Sequence, residues 1–145
     1  FLGHHFDDNL ETYLMRKING SNLNGLDSIN KITYFNNIQI LRPLIEIDKK
    51  SILTFNKNNQ LNFINDPTNK DLNYTRVKLR KFLQNNKYKK EIKKDFINTK
   101  KQILSIIKFF NKNKSRTKSS KIMNLIDILK KPHFKIFNLS GIIIK

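Results

Sequence analysis

His4-His5-Phe6-Asp7-Asp8-Asn9-Leu10-Glu11-Thr12 sets two imidazoles, three carboxylates and a hydroxyl side by side near the start of a 145-residue chain. Ahead of it, Phe1-Leu2 and then Gly3 read as the apolar end of a strand entering a tight turn. Behind it, Leu10, Tyr13, Leu14 and Ile18 recur at helical spacing. The cluster therefore stands at a strand-to-helix junction. At such a junction the first N–H groups of the helix lack partners and the dipole is positive, which favours anions such as phosphate or a carboxylate.

Asp8-x-x-Glu11 ahead of an apolar run also has the form of an ordinary helix cap. Capping accounts for Asp8 and Glu11 but gives no reason for His4, His5 and Asp7 beside them, so the whole pattern favours a functional cluster. Imidazole with carboxylate suits zinc or iron as well, although adjacent histidines on one turn seldom both point inward.

Working outward, Gly20 is placed to end the first helix and Ser21 to cap a short second one. Ile32–Phe35 and Ile38–Leu41 read as two strands about an Asn36-Asn37 turn, delivering Arg42-Pro43-Leu44. Asp48 is expected to cap a helix to about Asn56 with Ile52 and Phe55 inward, and Leu61–Phe63 to form a short strand. Asp66-Pro67-Thr68-Asn69 has turn composition. The helix expected from near Asp71 carries Arg76 and Arg80, four apart and so on one face. Solvated charge and an RNA contact both fit that pair. Asn85–Lys90 reads as a linker, and residues 90–111 as an amphipathic helix with Phe96, Ile103, Ile107 and Phe110 on one face and Ile97 and Leu104 beside them. A basic loop over 111–120, a helix around Ile122–Leu129, a lone His133 and two strands within 134–144 complete the expectation.

The chain has 29 Lys+Arg against 11 Asp+Glu, a net charge of +18, which favours polyanionic partners, RNA first. Abundant Lys, Asn, Ile and Phe are also what an AT-rich genome imposes on any protein. With no cysteine, disulfides and Cys-based zinc sites are excluded. No apolar run approaches the ~20 residues of a spanning helix, so no membrane partner is expected.

Four motifs in order resemble the tRNA(Ile)-lysidine synthetases of the PP-loop ATP pyrophosphatase superfamily. They are His4-His5-x-Asp7-Asp8-x-x-Glu11-Thr12, then Gly20-Ser21-x-Leu23-x-Gly25-Leu26, then Arg42-Pro43-Leu44, and lastly Asp66-Pro67-Thr68-Asn69-x-Asp71 with Tyr74-x-Arg76 and Leu79-Arg80. The family's S-G-G-x-D-S loop, which grips ATP, occurs nowhere in the chain. The resemblance implies an α/β fold, the rear half of a PP-loop (adenine nucleotide alpha hydrolase-like) domain over 1–83, with a basic, mainly helical extension over 84–145 leading toward tRNA-binding structure. On this reading the chain is a fragment or one piece of a split gene, whose missing N-terminal half holds the ATP loop.

The reaction so implied uses ATP to adenylate the C2 carbonyl oxygen of the wobble cytidine in tRNA(Ile) with a CAU anticodon, after which the amine of lysine displaces AMP. The implied cofactors are ATP and Mg2+, and the partners are tRNA(Ile) and lysine. Asp7, Asp8 and Glu11 are the implied catalytic residues, with Asp8 also a magnesium candidate. His4, His5 and Arg42 are assigned to the nucleotide, Arg76 and Arg80 to tRNA, Gly20 and Gly25 to close backbone approach, and Asp66 and Asn69 to the turn motif. A bacterial cytoplasm is the implied compartment, with an organelle stroma or matrix as the alternative. A non-catalytic RNA-binding remnant is the rival from another class, and a tRNA thiolase a further one, although thiolases commonly depend on cysteines.

Overall fold

The computed structural model describes residues 1–64, 71 and 73–113. Helix α1 (Phe6–Ile18) is the hub, because the apolar spacing seen in the sequence puts Leu10, Tyr13 and Leu14 on a face that is fully buried. Its cap lies one turn earlier than expected. His5, in extended backbone, is the N-cap: its Nδ1 accepts from the Asp8 N–H at 3.3 Å, and Asp8 Oδ2 accepts from the His5 N–H at 2.9 Å. This reciprocal box replaces the Asp8/Glu11 cap read from the sequence and leaves Glu11 free for other work.

Gly20 takes a positive φ of 69° after α1, the left-handed turn that glycine adopts without strain. The short α2 (Leu23–Leu26) is capped by Asn22, whose Oδ1 accepts from the Gly25 N–H at 2.9 Å, rather than by Ser21. Strands β1 (Ile32–Phe35) and β2 (Ile38–Leu41) pair antiparallel, Phe35 opposite Ile38, around Asn36 and Asn37 in left-handed conformations. No strand forms at Phe1-Leu2, but the Leu2 N–H donates to the Leu41 carbonyl at 2.9 Å and ties the start of the chain to the hairpin.

Helix α3 (Lys49–Asn58) is capped by Asp48 through the Ser51 N–H at 2.9 Å, and buries no residue; Phe55, expected inside, is 61% exposed. The strand expected at Leu61–Phe63 is absent, because the Leu61 N–H folds back onto the Asn56 carbonyl to finish α3. Helix α4 (Thr75–Leu83) starts four residues later than Asp71 and has no side-chain cap at Tyr74.

The expected linker is not one. Helix α5 (Asn86–Asn113) takes in most of it, because lysine is a good helix former and the Asn85 side chain accepts from the Lys87 N–H at 3.0 Å. Ile92, Phe96, Thr99 and Ile103 form the buried stripe of α5, whereas Ile107 and Leu104, expected on or beside it, are exposed. The core is thus a helical layer, with Leu10, Tyr13 and Leu14 of α1, Leu26 of α2, Leu79 and Leu83 of α4, and Ile92 and Phe96 of α5 in one cluster. The Tyr13 and Phe96 rings meet edge to face at 5.2 Å. The expectations for Asp66, Asn69, His133, the 122–129 helix and the 134–144 strands lie outside the described residues.

Candidate functional site

Because α1 begins at the cluster, successive residues leave it in different directions, and the structure sorts them by task. Asp8 serves the capping box with His5. Asp7 projects toward α3 and α5, where one oxygen accepts from the Lys49 N–H at 2.7 Å and the other pairs with the Lys89 ammonium. Burial opposes the charge on Asp7, but the Lys49 hydrogen bond and the Lys89 ammonium outweigh it, holding the carboxyl below its ordinary range.

Glu11 is almost fully buried, and Arg80 of α4 reaches it with a forked pair of hydrogen bonds, Nε to Oε1 at 2.7 Å and Nη2 to Oε2 at 3.1 Å. The Glu11 carboxylate in turn raises the Arg80 pKa against the effect of burial. Arg80 is therefore drawn inward. The expectation that it shares an outward face with Arg76 is corrected: helical spacing aligns their Cα atoms, but a buried carboxylate decides where the guanidinium goes. Arg76 remains exposed.

Asp7, Glu11, Lys49, Lys50, Arg80 and Lys89, with Leu53 and Leu83 as apolar wall, line a cavity of about 360 Å³. Four cations and two carboxylates around one space can bind an anionic group and, beside it, hold or deprotonate an amine. Lys49, Lys50 and Lys89 were not singled out from the sequence, since lysines this frequent carry little signal; the only hint was Lys49-Lys50 directly after the Asp48 cap.

Other candidates lie elsewhere. Arg42 folds over the hairpin, Nη1 donating to the Asn30 carbonyl at 2.9 Å and to the Thr33 hydroxyl at 3.0 Å, while its Nε is buried without a partner. It does not line the cavity with Asp7 and Glu11. His4 is partly buried and its Nδ1 has no hydrogen-bond partner. Gly25 is needed for packing: a Cβ there would stand 3.0 Å from that of Ser21, and its carbonyl accepts from Arg16 Nη1 at 2.6 Å. Among the described residues no three His, Asp or Glu side chains gather as a metal ion requires. Asp8 Oδ2 is taken up by the cap and both Glu11 oxygens by Arg80.

Behind the cavity a second polar cluster joins α1 to α5. The Tyr13 hydroxyl bonds to Asp95 Oδ2 at 2.5 Å and Thr99 Oγ1 at 2.9 Å, and Lys17 bonds to the same Asp95 oxygen. Burial and the Asp95 carboxylate push the Tyr13 phenol upward, keeping it protonated as a donor.

A family model described as the PP-loop domain matches residues 1–87. The tRNA(Ile)-lysidine synthase of Francisella philomiragia is 35% identical over 118 residues, which cover 81% of this chain and 24% of the relative. That of Orientia tsutsugamushi is 38% identical over 82 residues, 57% of this chain and 18% of the relative. That of Francisella tularensis subsp. holarctica is 42% identical over 79 residues, 54% and 20%. The chain thus spans about a quarter or less of the length of these curated relatives.

Proposed function

Because the chain belongs to the PP-loop family, an α/β group matched over more than half its length, we propose that it is part of a tRNA(Ile)-lysidine synthase. The whole enzyme then binds ATP and tRNA(Ile), transfers the adenylyl group of ATP to the C2 carbonyl oxygen of the wobble cytidine with release of pyrophosphate, and forms a carbon–nitrogen bond at C2 as the ε-amine of lysine expels AMP. The observation that carries the reading is the cleft in which Asp7 and Glu11 face Lys49, Lys50, Arg80 and Lys89.

Each step makes a demand that these residues can meet. The leaving AMP is an anion, and cations around a partly enclosed space stabilise the charge it takes away. The attacking amine must be held as an ammonium and then lose a proton, for which Asp7, with its charge kept, is the acceptor within the cleft. Arg80 holds Glu11 in place through its forked pair of hydrogen bonds, so Glu11 is a fixed carboxylate facing the space the amine would enter. Asp8 acts through His5, setting where α1 begins and hence where Asp7 and Glu11 point. In this reading Arg76, exposed on α4, is assigned to an RNA phosphate, and His4, the residue before the helix cap, to the nucleotide.

A reconstitution tests the proposal. The 145-residue chain alone should incorporate no radiolabelled lysine into a tRNA(Ile) transcript with a CAU anticodon, and adding a polypeptide that carries the S-G-G-x-D-S half should allow ATP-dependent incorporation. Incorporation by the chain alone would show that the nucleotide site has been misplaced.

A further inference from the structure

The lysines of α5 divide into two sets with different work. Lys89, Lys93 and Lys100 flank the buried stripe and are all engaged: Lys89 with Asp7, Lys93 over the Phe6 ring at 5.0 Å, and Lys100 with Asp27 at 2.7 Å. Lys87, Lys90, Lys94, Lys101, Lys108 and Lys112 follow one another at steps of three, four, seven, seven and four residues. That spacing stacks them on one side of a 3.6-residue helix, opposite Ile92, Phe96, Thr99 and Ile103. All six are exposed and make no ion pair among the described residues. The acids of α5 are Glu91 and Asp95, and Asp95 is turned inward to Lys17 and Tyr13.

From Lys87 to Lys112 the row runs about 38 Å at 1.5 Å per residue. A row of unpaired like charges of that length repels itself and needs a polyanion with charges spread along a line. We infer that this face of α5 is a track for the phosphate backbone of an RNA duplex. An anionic membrane is the poorer fit, because Ile92 and Phe96 of α5 are already packed in the core with α1, α2 and α4, and the exposed Ile97, Leu104 and Ile107 leave only a sparse apolar edge to insert. Single-stranded RNA is held largely by bases stacking on aromatic rings, and no aromatic residue stands in the lysine row. Duplex recognition by phosphate contacts alone asks for nothing else. The inference rests on the proposed tRNA reading and deepens it by naming the surface that takes a duplex stem; duplex binding uses neither ATP nor the cleft, so it can fail while lysine transfer stands.

The test is titration of the full chain with a fluorescent RNA hairpin whose stem is longer than the track, across a series of salt concentrations. Two double variants remove equal charge: Lys94→Ala with Lys108→Ala on the row, and Lys31→Ala with Lys57→Ala away from it. The row pair should reduce the slope of log K against log salt by about 1.8, the scale of losing two duplex phosphate contacts, and weaken binding about tenfold. The distant pair should leave the slope nearly unchanged. Equal losses in both pairs would overturn the track and leave only net charge. So would single-stranded RNA of the same length binding as tightly as the hairpin, or row-dependent binding to phosphatidylserine vesicles without hairpin binding.

Discussion

Asp8 shows how geometry gives a task to one side chain that its pattern left open between cap and site. Its Oδ2 accepts the His5 N–H at 2.9 Å, and asparagine keeps an oxygen there. Asp8→Asn should therefore change the melting temperature by no more than a degree or two, the scale of a few tenths of a kcal/mol. Asp7 differs, because its charge is in use. Its folded pKa lies below the ordinary 3.8, so the stability it contributes is fully present at neutral pH and is lost as the pH falls through that lowered value. Asp7→Asn should remove this part of the acid unfolding curve, seen by circular dichroism below about pH 4, and leave the slope between pH 5 and 8 unchanged. The types and order of His4 to Glu11 were legible in the sequence. Their division between cap and cleft was not, since His5 becomes an N-cap only once its extended backbone brings Nδ1 to the Asp8 N–H. Nor was the Glu11–Arg80 pair legible, because it spans 69 residues and depends on how α4 lies across α1.

At the scale of elements, a 3.6-residue period that coincides with burial located α1 and α5, and strand-forming residues about the Asn36-Asn37 turn located the hairpin, whose strands bury no residue. It failed where the local code is weak. The lysine- and asparagine-rich stretch after Gln84 has linker composition, yet it forms the first turns of α5 because Ile92 and Phe96 further along fix that helix on α1 and α4. The same logic predicts which residues matter. Leu79→Ala, 1% exposed between α1 and α5, should cost about 2–5 kcal/mol in chemical denaturation, the range for deleting a buried leucine side chain. Phe55→Ala on α3, which buries nothing, should cost within about 0.5 kcal/mol despite removing a larger side chain. Similar losses from the two would contradict the division between an anchored α1/α4/α5 layer and a peripheral α3.

For the molecule as a whole, the PP-loop match over residues 1–87 ends at the first turn of α5, while the Francisella philomiragia relative is similar over a longer stretch of 118 residues. Helix α5 supplies Lys89 to the cleft and Ile92 and Phe96 to the core, so the cleft and the basic helix are built as one piece. Glu11 is the residue on which the proposed lysine transfer in this cleft stands or falls. Glutamine preserves its length and one oxygen toward Arg80 but removes the charge beside the amine. The decisive measurement is ATP-dependent incorporation of radiolabelled lysine into tRNA(Ile) by the reconstituted enzyme, wild type against Glu11→Gln, each checked by melting to be folded. The account predicts a loss of roughly a hundredfold or more with the fold retained, the scale for removing one electrostatic or acid–base group. Incorporation at the wild-type rate by a folded Glu11→Gln protein would contradict it.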